Sequence, residues 1–280
     1  SGKGPFNGSL SNFNSTSGKV KYTPEIGFVG NDSFAFNVSD GSLVSSPKNI
    51  SIRVIVAQEV STAGLVGHWK FDETSGTVAS DSSVNKNNGT LINDPTWITG
   101  KIGGAVNFDG VDDYVKVNDA DSLDNMPALT ISLWLKPDSV SNERSLVTKW
   151  NSGNSYIFRI IPIVTLSLLV NTNSTFSDSS VLSVGQWQHV AVVYDQVNAR
   201  FYVNGLSVGS QALANGAVST SSAPVIIGSI FTGTDFYDGI IDDVRIYNRS
   251  LSEGEILTLA SEGENSNAAP SVNAGSDQII

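Results

Sequence analysis

The sequence predicts an all-β chain, an antiparallel two-sheet sandwich preceded by a smaller, partial β-sandwich. Three observations carry this expectation. Short runs rich in Val, Ile, Phe, Tyr and Ser alternate apolar and polar residues at period two, as half-buried strands do. Clusters of Gly, Asn, Asp and Ser separate these runs at the spacing found in sandwiches. Helical periodicity is nearly absent, with one exception near the end, "SLSEGEILTLASE". There Ser252 and Glu255 form a capping-box pattern, and Ile256, Leu257 and Leu259 supply an apolar face.

The first 57 residues contain "GKVKYTPEIGFVGNDSFAFNVSDGSLVSSPKNISIRVIV". Val20 and Tyr22, then Phe34, Phe36 and Val38, then Ile50, Ile52, Val54 and Val56 alternate as three strands. The segment resembles the tandem cadherin-like and immunoglobulin-like repeats of large bacterial and archaeal surface proteins, in which "YTP..GF.G.DSF.F.VSDG" recurs. The resemblance covers the second half of such a domain, so residues 1–57 read as a partial unit whose first strands are missing. Its sheet edges are then open to pairing with an upstream segment or another chain. Residues 58–63 read as a linker and 64–261 as a complete unit. Residues 262–280, with "NAAPSVNAGSDQII", read as a linker and the opening strand of a following repeat.

Composition narrows the partners. The 280 residues are 40% apolar, enough for a core, and carry 27 acidic against 16 basic side chains, a net charge of -11. An acidic surface repels phosphate backbones and anionic membranes, so nucleic acid and membrane insertion are not expected. The absence of cysteine removes disulfides, thiolate metal sites and thiol nucleophiles together. No apolar run is long enough to span a bilayer, and "SGKGPFNGSL" has no signal-peptide pattern. The chain therefore reads as a segment of a longer exported precursor. Asn-X-Ser/Thr patterns recur at Asn7, Asn14, Asn31, Asn37, Asn49, Asn88, Asn173 and Asn248, as a Ser-, Thr- and Asn-rich chain generates by chance.

The central unit shows its landmarks in order. "GLVGHWKFDETSG" is an early strand and turn, and "GKIGGAVNFDGVDDYVKV" a pair of strands joined at an Asp-Gly turn. "LTISLWLKP" is a central strand, "VGQWQHVAVVYDQVNARFYVNGLSVG" a strand and hairpin, and "GIIDDVRIYNRSLSEGEI" the closing strand. Together these segments resemble the laminin-G-like family of the concanavalin-A-like lectin and glucanase superfamily. The resemblance implies an antiparallel two-sheet jelly roll whose closing strand lies beside the first. The fold is shared by lectins, adhesion modules and glycoside hydrolases, so it does not fix the function.

No catalytic constellation accompanies that fold. The superfamily's hydrolases place two glutamates and an aspartate on alternate positions of one strand, which puts an acid and a nucleophile about 5 Å apart. No E-x-D-x-x-E run is present, and the adjacent pairs Asp112–Asp113 and Asp242–Asp243 are expected to point to opposite faces of their strands. His68 and His189 fall in no paired-ligand spacing, and no G-x-S-x-G elbow occurs. The chain reads as non-catalytic.

Calcium takes six to eight oxygen ligands. In a jelly roll the loop after "VNF" is expected near the first and last strands, bringing Asp109, Gly110 and Asp113 towards Asp242, with Asp81 as a further candidate. The resemblance implies a calcium bound by the first aspartate of "IDDVRIY", here Asp242, and by nearby carbonyls. The competing reading pairs Asp242 or Asp243 with Arg245, Arg249 or Lys101.

Sugar binding combines an aromatic platform with polar groups that meet hydroxyls. Trp69, Trp134 and Trp187 lie among aliphatic residues and read as core. Trp150 enters a polar loop that also holds Tyr156, with Arg159 beyond it; "FTGTDFYDG" sets Phe231, Phe236 and Tyr237 beside Asp235 and Asp238; and Trp97 is a third exposed-looking aromatic. The expected function is a calcium-stabilised, extracellular or cell-surface module that binds a polysaccharide or glycoprotein glycan. The alternative is a structural repeat of a filament, sheath or adhesin, self-associating through exposed strand edges.

Overall fold

A computed structural model describes residues 4–14, 19–39, 41–54, 58–151, 154–230 and 233–263. They fall into two compact units, one within residues 1–57 and one within residues 58–263. The strand expected to open a following repeat lies outside the described residues.

The first unit is two antiparallel pairs: β1 (Gly8–Asn14) with β2 (Lys19–Pro24), and β3 (Gly30–Phe36) with β4 (Lys48–Val54). Tyr22, Phe34 and Ile52 form its buried cluster, flanked by Val20, Ile50 and Val54. Phe36 and Val38, expected to follow Phe34 inward, are exposed, and Val56 lies outside the described residues. Asp32 ties the unit together by accepting hydrogen bonds from the amides of Phe6, Asn7 and Ser33 and from the Tyr22 hydroxyl. Burial alone would raise its carboxyl, but these four donors hold it down to about 2.

The second unit is a sandwich of two eight-stranded antiparallel sheets. Its strands, numbered along the chain, begin with β5 (Leu65–Trp69), β6 (Val78–Ala79), β7 (Gly89–Ile92), β8 (Thr96–Thr99), β9 (Gly104–Asp109) and β10 (Tyr114–Val117). They continue with β11 (Leu129–Pro137), β12 (Arg144–Asn151), β13 (Asn154–Ile161), β14 (Thr165–Val170) and β15 (Asn173–Phe176). The last are β16 (Gln188–Tyr194), β17 (Asn198–Val203), β18 (Leu206–Ala212), β19 (Val225–Ile227) and β20 (Asp238–Tyr247). The first sheet runs β15-β14-β13-β12-β19-β10-β7-β6 and the second β18-β17-β16-β11-β20-β9-β8, with β5 also paired to β20. Inward side chains from both sheets, among them Val115, Phe158 and Ile227 from one and Ile131, Val192 and Ile241 from the other, make one continuous core.

Two expectations change here. The "FDGVDDY" segment is no hairpin, because β9 belongs to the second sheet and β10 to the first; the Asp-Gly turn carries the chain across the sandwich. Residues 58–63, expected to be a linker, are bonded into the second unit. Gln58 meets the helix α1 (Glu253–Ser261) through Thr258, and Arg249 holds the carbonyls of Ser61 and Ala63. The capping box of α1 forms between Ser252 and Glu255. The helix buries Ile256 and Leu259 against Ala191, Val193, Tyr202 and Tyr247, on the outer face of the second sheet.

Candidate functional site

Asp242 and Asp243 lie where β20 changes neighbours. Its first half pairs with β9 up to Ile241, and its second half pairs with β5 from Val244 onward. Against β11, Asp242 sits opposite Trp134 and Arg245 opposite Ser132, so β20 carries one extra residue in that interval. Asp243 takes a left-handed conformation, φ 50°, which makes the interval a β-bulge. The expectation that the two carboxylates point to opposite faces fails for this reason. Ile241 and Val244 both enter the core, and the two aspartates between them share the outer face with Trp134, Ser132 and Arg245.

The two carboxylates then fare differently. Asp243 Oδ1 lies 2.6 Å from His68 Nε2 and its Oδ2 2.9 Å from an Arg245 nitrogen, and Arg245 also binds Glu262 just beyond α1. Burial alone would raise the Asp243 carboxyl, but the His68 hydrogen bond and the Arg245 charge hold it below its usual range. Asp242 is completely buried; its Oδ2 accepts the Ile102 amide at 2.8 Å, and its Oδ1 has no partner. Burial pushes its carboxyl up to about 7; the Ile102 and Lys101 amides work downward, and the charges of Asp243 and Asp72 upward.

An unpartnered carboxylate oxygen beside a second aspartate is what a calcium site offers when the cation is removed. Asp72 turns its Oδ1 to the Gly104 amide at 2.8 Å, in the segment that also presents Ile102 to Asp242. That segment closes tightly over both side chains. A Cβ on Gly103, at φ 68°, would stand 2.1 Å from Asp72 Oδ1, and one on Gly100 would stand 2.5 Å from Asp242 Oδ2. The residues around Asp242 therefore fit a calcium, and Asp72, which the sequence did not single out, is held by the same glycine-rich segment. Its signal was "KFDETSG" facing "GKIGG", an aspartate opposite a run of three glycines in five residues.

The other expected metal ligands lie elsewhere. Asp81 is saturated: its carboxylate accepts from the amides of His68, Ser83 and Asn87 and from the Ser83 hydroxyl, all at 2.8 Å. It pins the chain after β6 to β5. Asp109, Gly110 and Asp113 come together at the crossover turn, but Asp109 pairs with Asp238, four residues along β20 from Asp242. At about 3.3 Å per residue this separation exceeds the reach of one ion.

The aromatic candidates also separate. Tyr156 and Tyr237 are fully buried core residues, with the Tyr237 ring edge-on to Phe108 at 6.2 Å, so neither offers a face to a ligand. The alternation that places Trp150 outside places Tyr156 inside, because Tyr156 is opposite Lys149 and Ser155 is opposite Trp150. Trp97 faces the core edge, tilted against Phe71 and bonded to the Gly76 carbonyl. Trp150 and Arg159 share the outer face of the first sheet, where Trp150 is half-buried and Arg159 binds Glu143 at 2.7 Å. Half-buried Phe236 joins that rim through its carbonyl, held by Arg144 at 2.7 Å. Phe231 lies outside the described residues.

His189 and Lys149 are sealed in. His189 Nε2 meets Ser132 Oγ at 2.8 Å, but His189 is 1% exposed, and burial drives it down to about 3. Trp134, expected in the core, is buried on the outer face instead, between the His189 ring and the Lys101 ammonium, which is 4.9 Å from its centroid. Lys149 is fully buried at one end of the sandwich. Its ammonium donates to Asp119 at 2.5 Å and to the carbonyls of Ser221 and Ala223 at 2.6 and 2.7 Å, with Asp124 at 3.3 Å. Among the described residues no helix is long and apolar enough to cross a membrane.

Known proteins place this architecture. A laminin-G-type family described as "Concanavalin A-like lectin/glucanases superfamily" matches residues 109–257, and a family described as "Bacterial Ig domain" matches residues 1–53. The chain is 26% identical over 144 residues to adhesion G-protein coupled receptor V1 of Danio rerio, covering 46% of this chain and 2% of that protein. It is 26% identical over 144 residues to usherin of Rattus norvegicus, covering 47% and 3%. It therefore spans only a small fraction of these relatives. Among solved structures it is similar to domain 4 of a GH43 extracellular arabinanase from Geobacillus stearothermophilus, in complex with arabinotriose. That likeness has a TM-score of 0.58 at 22% identity and covers 71% of this chain and 98% of that one. The binding domain of botulinum neurotoxin serotype G follows at TM-score 0.57 and 15% identity, covering 70% and 50%. These likenesses show a shared fold. With its matched motifs and paired sheets, the chain belongs to the concanavalin-A-like lectin and glucanase superfamily, in its laminin-G-like branch, and carries a bacterial Ig-type unit before it.

Proposed function

We propose that this chain is a non-catalytic, extracellular carbohydrate-binding or adhesion module of a larger surface or secreted protein, stabilised by calcium. The observation that carries the binding reading is an asymmetry between outer faces. The second sheet's outer face is closed by α1 and the 100–103 turn, whereas the first sheet leaves Trp150 half-exposed on β12 and Tyr114 half-exposed beside exposed Lys116 on β10. Half-exposed rings among polar side chains suit the apolar face of a pyranose and its hydroxyls. The arabinanase domain solved with arabinotriose supports a glycan as the ligand class. Calcium would be held by Asp242 and Asp72 with nearby carbonyls, and its charge would fasten β20 to the turn before β9.

A polysaccharide pull-down or glycan array tests this reading. Trp150→Ala is expected to lower glycan retention at least tenfold while leaving the melting temperature within about 2 °C, as an outer-face substitution should. Retention unchanged by Trp150→Ala and Tyr114→Ala together would remove the site.

A second reading, self-association as a structural repeat, draws on the first unit, where Phe6, Phe13, Ile26 and Leu43 are each more than two-thirds exposed. Concentration-dependent mass in light scattering, abolished by Phe13→Ser with Leu43→Ser, is its expected signature.

A further inference from the structure

The crossover turn between β9 and β10 holds a second group of oxygens, separate from Asp242. Asp109, Asp112 and Asp113 each bring a carboxylate oxygen to within 4.8 Å of the others. Asp109 spends Oδ1 on the turn itself, accepting the Val111 amide at 2.8 Å, and Asp113 spends Oδ2 on the Asp109 amide at 3.0 Å. Asp113 is 4% exposed, and its remaining oxygen, Oδ1, is buried with no hydrogen-bond partner. Among the described residues no Lys or Arg pairs with any of the three.

This arrangement is costly as it stands. A buried oxygen without a donor forfeits its hydration, and carboxylates this close repel one another. Burial pushes the Asp113 carboxyl above its usual range, the Asp109 amide returns part of the rise, and the charges of Asp109, Asp112 and Asp94 add to it. Asp238 extends the acidic patch, because it pairs with Asp109 across the sheet and lies against Gly110, where an added Cβ would stand 2.7 Å from its own.

We infer that this turn is a second divalent-cation site, of calcium type, in which Asp113 Oδ1 meets the ion from the protein side and Asp109 and Asp112 from the solvent side. Hard carboxylate oxygens select calcium or magnesium over softer-ligand metals, and a flexible turn without octahedral order favours calcium over magnesium. Two of the three ligands are exposed, so affinity of about 10⁻⁴ to 10⁻³ M is expected, in the range of extracellular modules. The ion would join the end of a second-sheet strand to the start of a first-sheet strand and keep water-filled positions facing out, beside the Arg144–Phe236 rim. This inference does not depend on the Asp242 site.

Calcium titration calorimetry on the chelator-stripped 280-residue chain tests it. Wild type is expected to titrate in two steps. Asp112→Asn, at an exposed position that leaves the fold intact, should weaken one step at least tenfold and spare the other; Asp242→Asn should do the reverse. Asp113→Asn should match Asp112→Asn. A wild-type titration indistinguishable from that of Asp112→Asn overturns the inference, whether Asp242→Asn abolishes binding or not, and so does a wild type that binds no calcium. A single step lost in Asp112→Asn and kept in Asp242→Asn upholds this site and removes the other.

Discussion

The chain contains two Asp-Asp pairs, and they differ in what surrounds them. Asp112–Asp113 sits in a turn between sheets, one carboxylate in water and one buried. Asp242–Asp243 sits in the bulge of a central strand, both buried on one face. In neither place does strand alternation decide where the carboxylates go. A left-handed residue in one case and a turn in the other bring together what a regular strand would separate. Charge is then managed by basic side chains at Asp243 and, in our reading, by cations at Asp242 and in the turn, where Asp113 faces the ion from the protein side and Asp112 from the water side.

The largest expected effect comes from breaking the pair that is fully matched. Asp243→Ala strands His68 and Arg245 beside a buried strand, and loss of one partner of a buried ion network costs about 3–5 kcal/mol. Urea unfolding of the second unit reads this directly. A loss below about 1 kcal/mol would show that Asp243 and Asp112 differ less than their burial implies.

The next effect is a pH signature. Native Asp242 keeps its proton up to about 7, whereas the unfolded carboxyl releases it near 3.8. Between those values the native state binds more protons, so rising pH lowers stability, by at most about 4 kcal/mol. Buried His189 works in the opposite direction: its unfolded imidazole protonates near 6.5 and the native one only near 3, so falling pH lowers stability across that span. The two slopes overlap between about pH 3.8 and 6.5 and oppose each other, so Asp242→Asn should unmask the His189 contribution, with stability then falling more steeply as the pH is lowered through that span. Chelation should lower the melting temperature at about pH 8, where Asp242 is ionised, and barely at about pH 5, where it is protonated. An unchanged melting temperature at both values would remove calcium from Asp242.

The smallest effect is expected at the exposed member of the turn. Without calcium, Asp112→Ala should shift unfolding by no more than about 0.5 kcal/mol, since it removes repulsion but no buried partner. A larger change would mean that the turn organises the sandwich by itself.

The architecture was legible in the sequence because period-two alternation and turn residues are local signals. The strands of both units followed from them and the helix start from the capping box at Ser252, whereas the pairing of the closing strand with the first was implied by the laminin-G-like resemblance. The site was less legible, for physical reasons tied to particular residues. The bulge at Asp243 rests on one non-glycine residue at positive φ, which no composition rule announces. Tyr156 and Tyr237 looked exposed because polar and glycine residues flank them, yet strand register turned the Tyr156 ring inward and Tyr237 packs edge-on against Phe108. The two strands joined at Asp109–Gly110 lie in different sheets, since a short polar turn serves either a hairpin or a crossing. Asp72 went unnoticed because its partner Asp242 lies 170 residues away.

Lys149 gives the opposite ends of the sandwich different relations to their surroundings. Two carboxylates and two carbonyls grip its ammonium as they would grip an ion, but this ion is tethered by its own side chain and cannot diffuse away. That end of the molecule is permanently loaded, indifferent to whether it stands in seawater, blood or a calcium-poor medium. If calcium is held at Asp242 and Asp113 as proposed, those regions would instead report on the mineral content of the outside world.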